Sequence, residues 1–138
     1  MIVIEYADFQ TRGDGEMTDL TGKVAAAVER SGLSAGAAVV FASGATGAVT
    51  TIEYEPGLVE DMKAALERMA PRDIEYAHNR RWGDGNGHSH IRASIIGPSL
   101  TVPFSDGKLM LGTWQQIVFI DLDTSPRHRR VVFQIIGE

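Results

Sequence analysis

The chain has 138 residues, of which 43% are hydrophobic and 22% charged, with no cysteine and a formal net charge of −5. That length and apolar content suit one domain, spanning 1–138, with its own hydrophobic core, and they exclude a disordered chain. The negative balance argues against nucleic acid as a partner, because binding it needs a positive field. Without thiols there are no disulfides and no thiolate chemistry, so any metal would rest on His, Asp or Glu.

The opening Met1-Ile2-Val3-Ile4-Glu5-Tyr6 carries an early acid and no basic segment, which does not read as a signal peptide. No apolar run is long enough to span a bilayer, so the expected location is the cytoplasm, with no membrane partner. Residues 2–11 read as a strand. Thr11 to Glu16 is a polar, Gly-broken turn. Thr21 is a candidate N-cap for a helix over 22–31, with Val24 and Val28 on one face and Gly32 as its stop. Gly36 to Ser43 reads as a buried strand, and Val49 to Tyr54 as the next. Pro56 opens a second helix, where its missing N–H costs nothing. Leu58, Met62, Leu66 and Met69 form that helix's apolar stripe, and it ends before Pro71.

From Arg72 to Ser89 the periodicity vanishes, leaving a long polar loop of the kind that is more often functional than idle. A short helix is predicted over 90–96, ended by Gly97-Pro98. Leu100 to Phe104 leads into Asp106-Gly107, a strong hairpin signal. Trp114 to Leu122 reads as a long strand. It sets Val118, Ile120 and Leu122 on one face and Ile117 and Phe119 on the other, so its middle is buried on both sides. Trp114 is expected in the core. Ser125-Pro126 turns the chain, and Val131 to Ile136 returns as a strand. The basic cluster Arg127 to Arg130 falls at the Pro-containing turn, with His128 at the surface. The predicted class is α+β: a mixed, mainly antiparallel sheet with two main helices.

Three of the four histidines, His78, His88 and His90, lie in or beside the polar loop. In an extended segment His88 and His90 point the same way. With His78 or Asp84 they could hold a divalent metal and leave one position open; the plain alternative is solvated or capping histidines. Gly83, Gly85 and Gly87 allow backbone N–H groups to converge on an anion, with Arg80, Arg81 and Arg92 adding positive charge. The plain alternative is a tight turn, and the alternation matches neither the P-loop nor the dinucleotide fingerprint. Glu53 stands in an otherwise apolar strand. It would pair with a base, ligate a metal or act as a general acid/base, or else face outward. Ser43, Thr46 and Ser99 offer hydroxyls, but none sits in a Gly-x-Ser-x-Gly elbow, so a serine hydrolase is a poor reading. Trp82 and Trp114 are candidates to stack on an aromatic substrate.

His90 to Phe104 carries the pattern His-x-x-x-Ser-x-x-Gly-Pro-Ser-Leu-Thr-x-Pro, followed at a fixed distance by Gly112-Thr113-Trp114-Gln115. With Asp19-Leu20-Thr21 and Gly47 to Glu53 upstream, these segments resemble the YjbQ-like family (secondary thiamine-phosphate synthase family) over nearly the whole chain. The resemblance implies an α+β fold and a homotrimer whose strands close on a central barrel, with sites near the interfaces. It also implies a weak thiamine-phosphate synthase activity, which joins a pyrimidine diphosphate to a thiazole phosphate and releases pyrophosphate. Under it, Glu53, His78 and His90 fall on the family's acid and histidine positions, and Ser99, Trp114 and Gln115 on its signature. One departure is Gly44, which stands where many relatives have a third-strand histidine; His88 is the candidate substitute.

The expectation is therefore a small trimeric transferase on a phosphorylated small-molecule substrate, with His90, His78 and Glu53 as catalytic residues. Asp84, Gly85, Asn86, Gly87, Arg92, Ser99 and Gln115 would bind substrate. A divalent metal, zinc on His78, His88 and His90 or magnesium held largely by substrate oxygens, would assist. The alternatives are a metal-dependent hydrolase of a small phosphoester and a non-catalytic trimeric ligand-binding protein.

Overall fold

The computed structural model describes all residues from Met1 to Glu138. Eight strands and four helices follow one another as β1 (Ile2–Thr11), β2 (Glu16–Asp19), α1 (Thr21–Ser31), β3 (Ala35–Ala42), β4 (Gly47–Ile52) and α2 (Pro56–Met69), then α3 (Ala77–Trp82), α4 (Gly87–Ile96), β5 (Ser99–Ser105), β6 (Lys108–Leu109), β7 (Gln116–Asp121) and β8 (Arg127–Gly137). They build two sheets, β1-β8-β3-β5-β6 and β2-β7-β4. Every strand pair is antiparallel. The α+β class holds, but the single mixed sheet is replaced by two antiparallel ones, and the two helices by four. No helix is long and apolar enough to cross a membrane.

The small sheet is a shared wall between two cores. On one side Val49, Ile117 and Phe119 pack with Leu20, Val24 and Val28 from α1 and with Val40, Phe133 and Ile135 from the large sheet. On the other, Met17, Ala48, Ile52, Val118 and Ile120 pack with Leu66 of α2 and Ala93 of α4. The double burial predicted for this stretch is what β7 shows. Burying each such side chain contributes about 1.5–3 kcal/mol, so alternation gives way to a continuous apolar run. In β1 the alternation survives: Val3 and Phe9 lean on the core, while Ile2, Ile4 and Tyr6 face out. β3 and β8 approach closely at Gly36 and Gly137, which pair in register, and a Cβ on Gly36 would overlap the Ile136 carbonyl.

Thr21 does not cap α1. Leu20 occupies that position without a side-chain bond, and the Thr21 hydroxyl accepts from the Ile117 N–H at 2.9 Å, tying the helix to β7. The stop at Gly32 is as predicted, with φ 71°. α2 begins at Pro56 after Glu55, whose carboxylate accepts from the N–H groups of Gly57 and Leu58. The supposed loop 72–89 contains α3 and the first turn of α4. α3 buries no residue, so its sequence carries no apolar stripe. α4 starts at Gly87 rather than 90, because a Cβ on Gly87 would lie 2.5 Å from the Tyr76 Cβ; only glycine lets this turn pack there.

Two other expectations fail. Trp114 is 70% exposed, because a turn in which Gly112 donates to the Gln115 side chain throws it outward before β7 begins. The cluster Arg127 to Arg130 is not a turn but the start of β8, so it alternates. Arg129 points inward, and His128 and Arg130 point out.

Candidate functional site

α3 and α4 meet at a tight corner made by Gly83 and Gly85, both at φ 67°. Asn79 braces the corner from within: its carbonyl accepts from the Gly83 N–H and its side-chain oxygen from the Gly87 N–H, each at 2.8 Å. This sets the His78 and His90 rings together, with centroids 4.4 Å apart and planes 42° apart. His78 Nδ1 is buried without a hydrogen-bond partner, 3.5 Å from Asp84 Oδ1. One helical turn on from His78 in α3, Trp82 is 65% exposed, and the Arg81 guanidinium lies 5.6 Å from its ring centre. Two imidazoles beside a carboxylate can donate to, or shuttle protons for, an anionic group.

The other predicted residues are not gathered here. His88 and His90 lie in a helix, about 200° apart around its axis, so the shared direction expected of an extended segment is lost. His88 is 3% exposed on the far side of α4. No three His, Asp or Glu side chains converge to hold a metal ion, and the set His78, His88 and His90 is not assembled. Of the three glycine amides expected to cradle an anion, two are used internally. Gly83 and Gly87 donate to Asn79, and Asn86 donates to Asp84 Oδ1. Arg92 turns away as well, donating to the Ala70 carbonyl at 3.0 Å and to Glu67 at 2.6 Å, which locks α4 onto α2. Glu53 is exposed, four residues past Val49, the strand position that bonds to Gly97 at the end of α4. Ser99 and Gln115 line a separate groove of about 410 Å³ with Thr50, Thr51 and Thr101.

A buried polar network that sequence reasoning missed joins β1, β7 and β8 to the start of α4. Asp121 is fully buried and takes the Arg129 guanidinium on both oxygens, at 2.7 and 2.9 Å, together with the Thr11 hydroxyl. Arg129 also donates to Thr46, which donates to Asp123 at 2.9 Å. Asp123 accepts from Asn86 at 3.2 Å and from the Ser125 N–H at 3.0 Å, and Asn86 accepts from the Ser89 hydroxyl. Asn86 is thus structural, anchoring the start of α4. Burial pushes the Asp123 carboxyl up, but the bonds from Ser125, Thr46, Asn86 and Arg127 outweigh it and hold its pKa below the usual carboxylate value. The available signal was Asp121-Leu122-Asp123 continuing an apolar strand, with Arg127 and Arg129 just past the turn. Gly44 belongs to this neighbourhood: a Cβ there would stand 3.2 Å from Arg129 Nη1.

Burial, with Arg92 and Arg72 nearby, pushes the His88 pKa below its ordinary 6.5. Between the folded value and 6.5 the unfolded chain binds more protons, so stability falls as pH drops through that window and is fully present above it. Urea midpoints should therefore decline as the pH is lowered below about 6.5, and His88→Gln should flatten that limb. An unchanged limb in the variant would remove His88 as its cause.

A family model described as "UPF0047 protein YjbQ-like" matches residues 5–138. A UPF0047 protein of Methanothermobacter thermautotrophicus is 40% identical over 123 residues, covering 89% of this chain and 84% of its own. One from Archaeoglobus fulgidus is 38% identical, covering 88% and 91%. Among solved structures, a YbjQ-like protein from Sulfolobus solfataricus P2 superposes with a TM-score of 0.90 at 30% identity over the whole of both chains. A YjbQ/UPF0047 family protein from Clostridium acetobutylicum gives 0.87 at 37%, covering 96% of this chain and 99% of that one.

Proposed function

This chain belongs to the UPF0047 YjbQ-like family, and from that footing we propose that it is a small transferase acting on phosphorylated heterocycles, with the His78–His90 pair as its reacting centre. The observation that supports the reading is the contact of the two rings beside Asp84, with Trp82 one helical turn on from His78 in α3. In the reaction a ring nitrogen of the thiazole phosphate attacks the methylene carbon of the pyrimidine diphosphate. The carbon–oxygen bond breaks, and its electron pair leaves on pyrophosphate. The imidazoles donate hydrogen bonds to the departing oxygens, Asp84 orients the His78 ring, and Trp82 offers a flat face for a heterocycle.

The working unit is a homotrimer. Ile2, Ile4, Tyr6, Phe41 and Ile136 are 38–60% exposed on the outer face of the large sheet, an apolar surface suited to burial against a second copy. We propose that in this assembly Glu53, Ser99 and Gln115 of one copy complete the histidine pair of another. Light scattering should give three times the 15.0 kDa chain mass; a monomeric mass would remove this part. The function itself is tested by incubating the protein with the two thiamine precursors and following thiamine phosphate by mass spectrometry. No product above the uncatalysed control would end the reading.

A further inference from the structure

Across α4 from the histidine pair lies a second polar cleft, of about 210 Å³, to which β1–β2, α2 and α4 all contribute. His88 lines it, along with Lys63, Arg72, Arg92, Asp14 and Glu67. The His88 ring is 3% exposed, and its Nδ1 is sealed from water with no partner. A buried N–H without an acceptor is rarer and costlier than an unused lone pair. The proton therefore belongs on Nε2, the ring atom left to meet a ligand in the cleft. Arg72 pairs with Asp14 at 3.0 Å and Arg92 with Glu67 at 2.6 Å. The Lys63 stem lies across Gly15, 3.3 Å from where a Cβ would stand. Three cations thus face two carboxylates, leaving one positive charge beside a neutral imidazole donor.

We infer that this cleft is a binding site for a phosphate group, held by Lys63, the two arginines and the His88 Nε2–H. Guanidinium forks suit tetrahedral oxyanions, and each can keep its carboxylate while turning a second N–H toward the ligand. Because His88 and His90 are on opposite sides of the helix, the site stands apart from the pair and does not rest on the reading given for it. The lowered pKa of His88 agrees with a neutral donor. A bound anion would favour its charged form and raise that value again.

The test is a long-range proton–nitrogen spectrum of the four histidine rings in the full-length labelled protein, titrated at neutral pH with sodium phosphate. Sodium chloride at matched ionic strength is the control, and His88→Gln gives the assignment. The His88 signals should shift saturably with phosphate and not with chloride. Lys63→Gln, at an exposed position, should weaken the phosphate Kd about threefold to fivefold without lowering Tm. A parallel titration with phenyl phosphate distinguishes sources: tighter binding than phosphate assigns the site to a phosphate ester, weaker binding to the free ion. A His88 ring that ignores phosphate, responds equally to chloride, or binds with undiminished affinity in Lys63→Gln overturns the assignment.

Discussion

Arg129→Met should destabilise the protein by about 3–5 kcal/mol, the cost of leaving a buried carboxylate without its counter-charge. Asp121 has no exposure and receives both arms of the guanidinium. Removing Arg129 leaves that charge facing only the Thr11 hydroxyl and the Asp123 N–H. It also frees Thr46, which then stabilises Asp123 alone. The effect should appear as a lower urea midpoint with little change in slope. Arg129→Met combined with Asp121→Leu should recover a large share of the loss, since removing both charges is far less costly than removing one. A single-variant loss below about 1 kcal/mol would mean the pair is solvated in solution, as surface pairs are.

The second large effect falls on turnover. His90→Ala should lower kcat/KM for thiamine phosphate formation at least about a hundredfold, the lower range for losing a positioned proton donor. The ring is half-buried and packed at a tilt against His78, so Tm should move little. His90→Asn, which keeps a donor at similar reach, should recover part of the activity. Wild-type turnover in His90→Ala would remove the pair from the chemistry. If kcat fell together with Tm, the loss would belong to the fold and not to the ring.

What could be read in the sequence follows from what each segment buries. β7 was legible because both of its faces are filled, and α2 because Leu66 and its neighbours pack at helical spacing. The Asp106-Gly107 turn was legible from its backbone demands, with both residues at positive φ. α3 was not, because a helix that buries nothing has no apolar period. His88 was misdirected for a related reason: whether two residues two apart share a side depends on strand or helix, and the local pattern did not decide which. Asp121 and Arg129 were passed over because charged residues are mostly exposed, and only their pairing across the β7–β8 connection makes burial affordable. Trp114 illustrates the converse, an aromatic that the core does not claim.

β7 has a consequence for how the protein can change over evolutionary time. A strand with helices behind it and a second sheet in front answers to two neighbours at every step. Ile117 and Phe119 answer to α1 and the large sheet; Val118 and Ile120 answer to α2 and α4. An added or removed methylene on either side displaces a backbone that the opposite side also leans on. Compensating changes must then come in sets drawn from distant parts of the chain, so this strand should drift most slowly, while outward positions of α3 such as Ala77 and Arg80 are freer to vary.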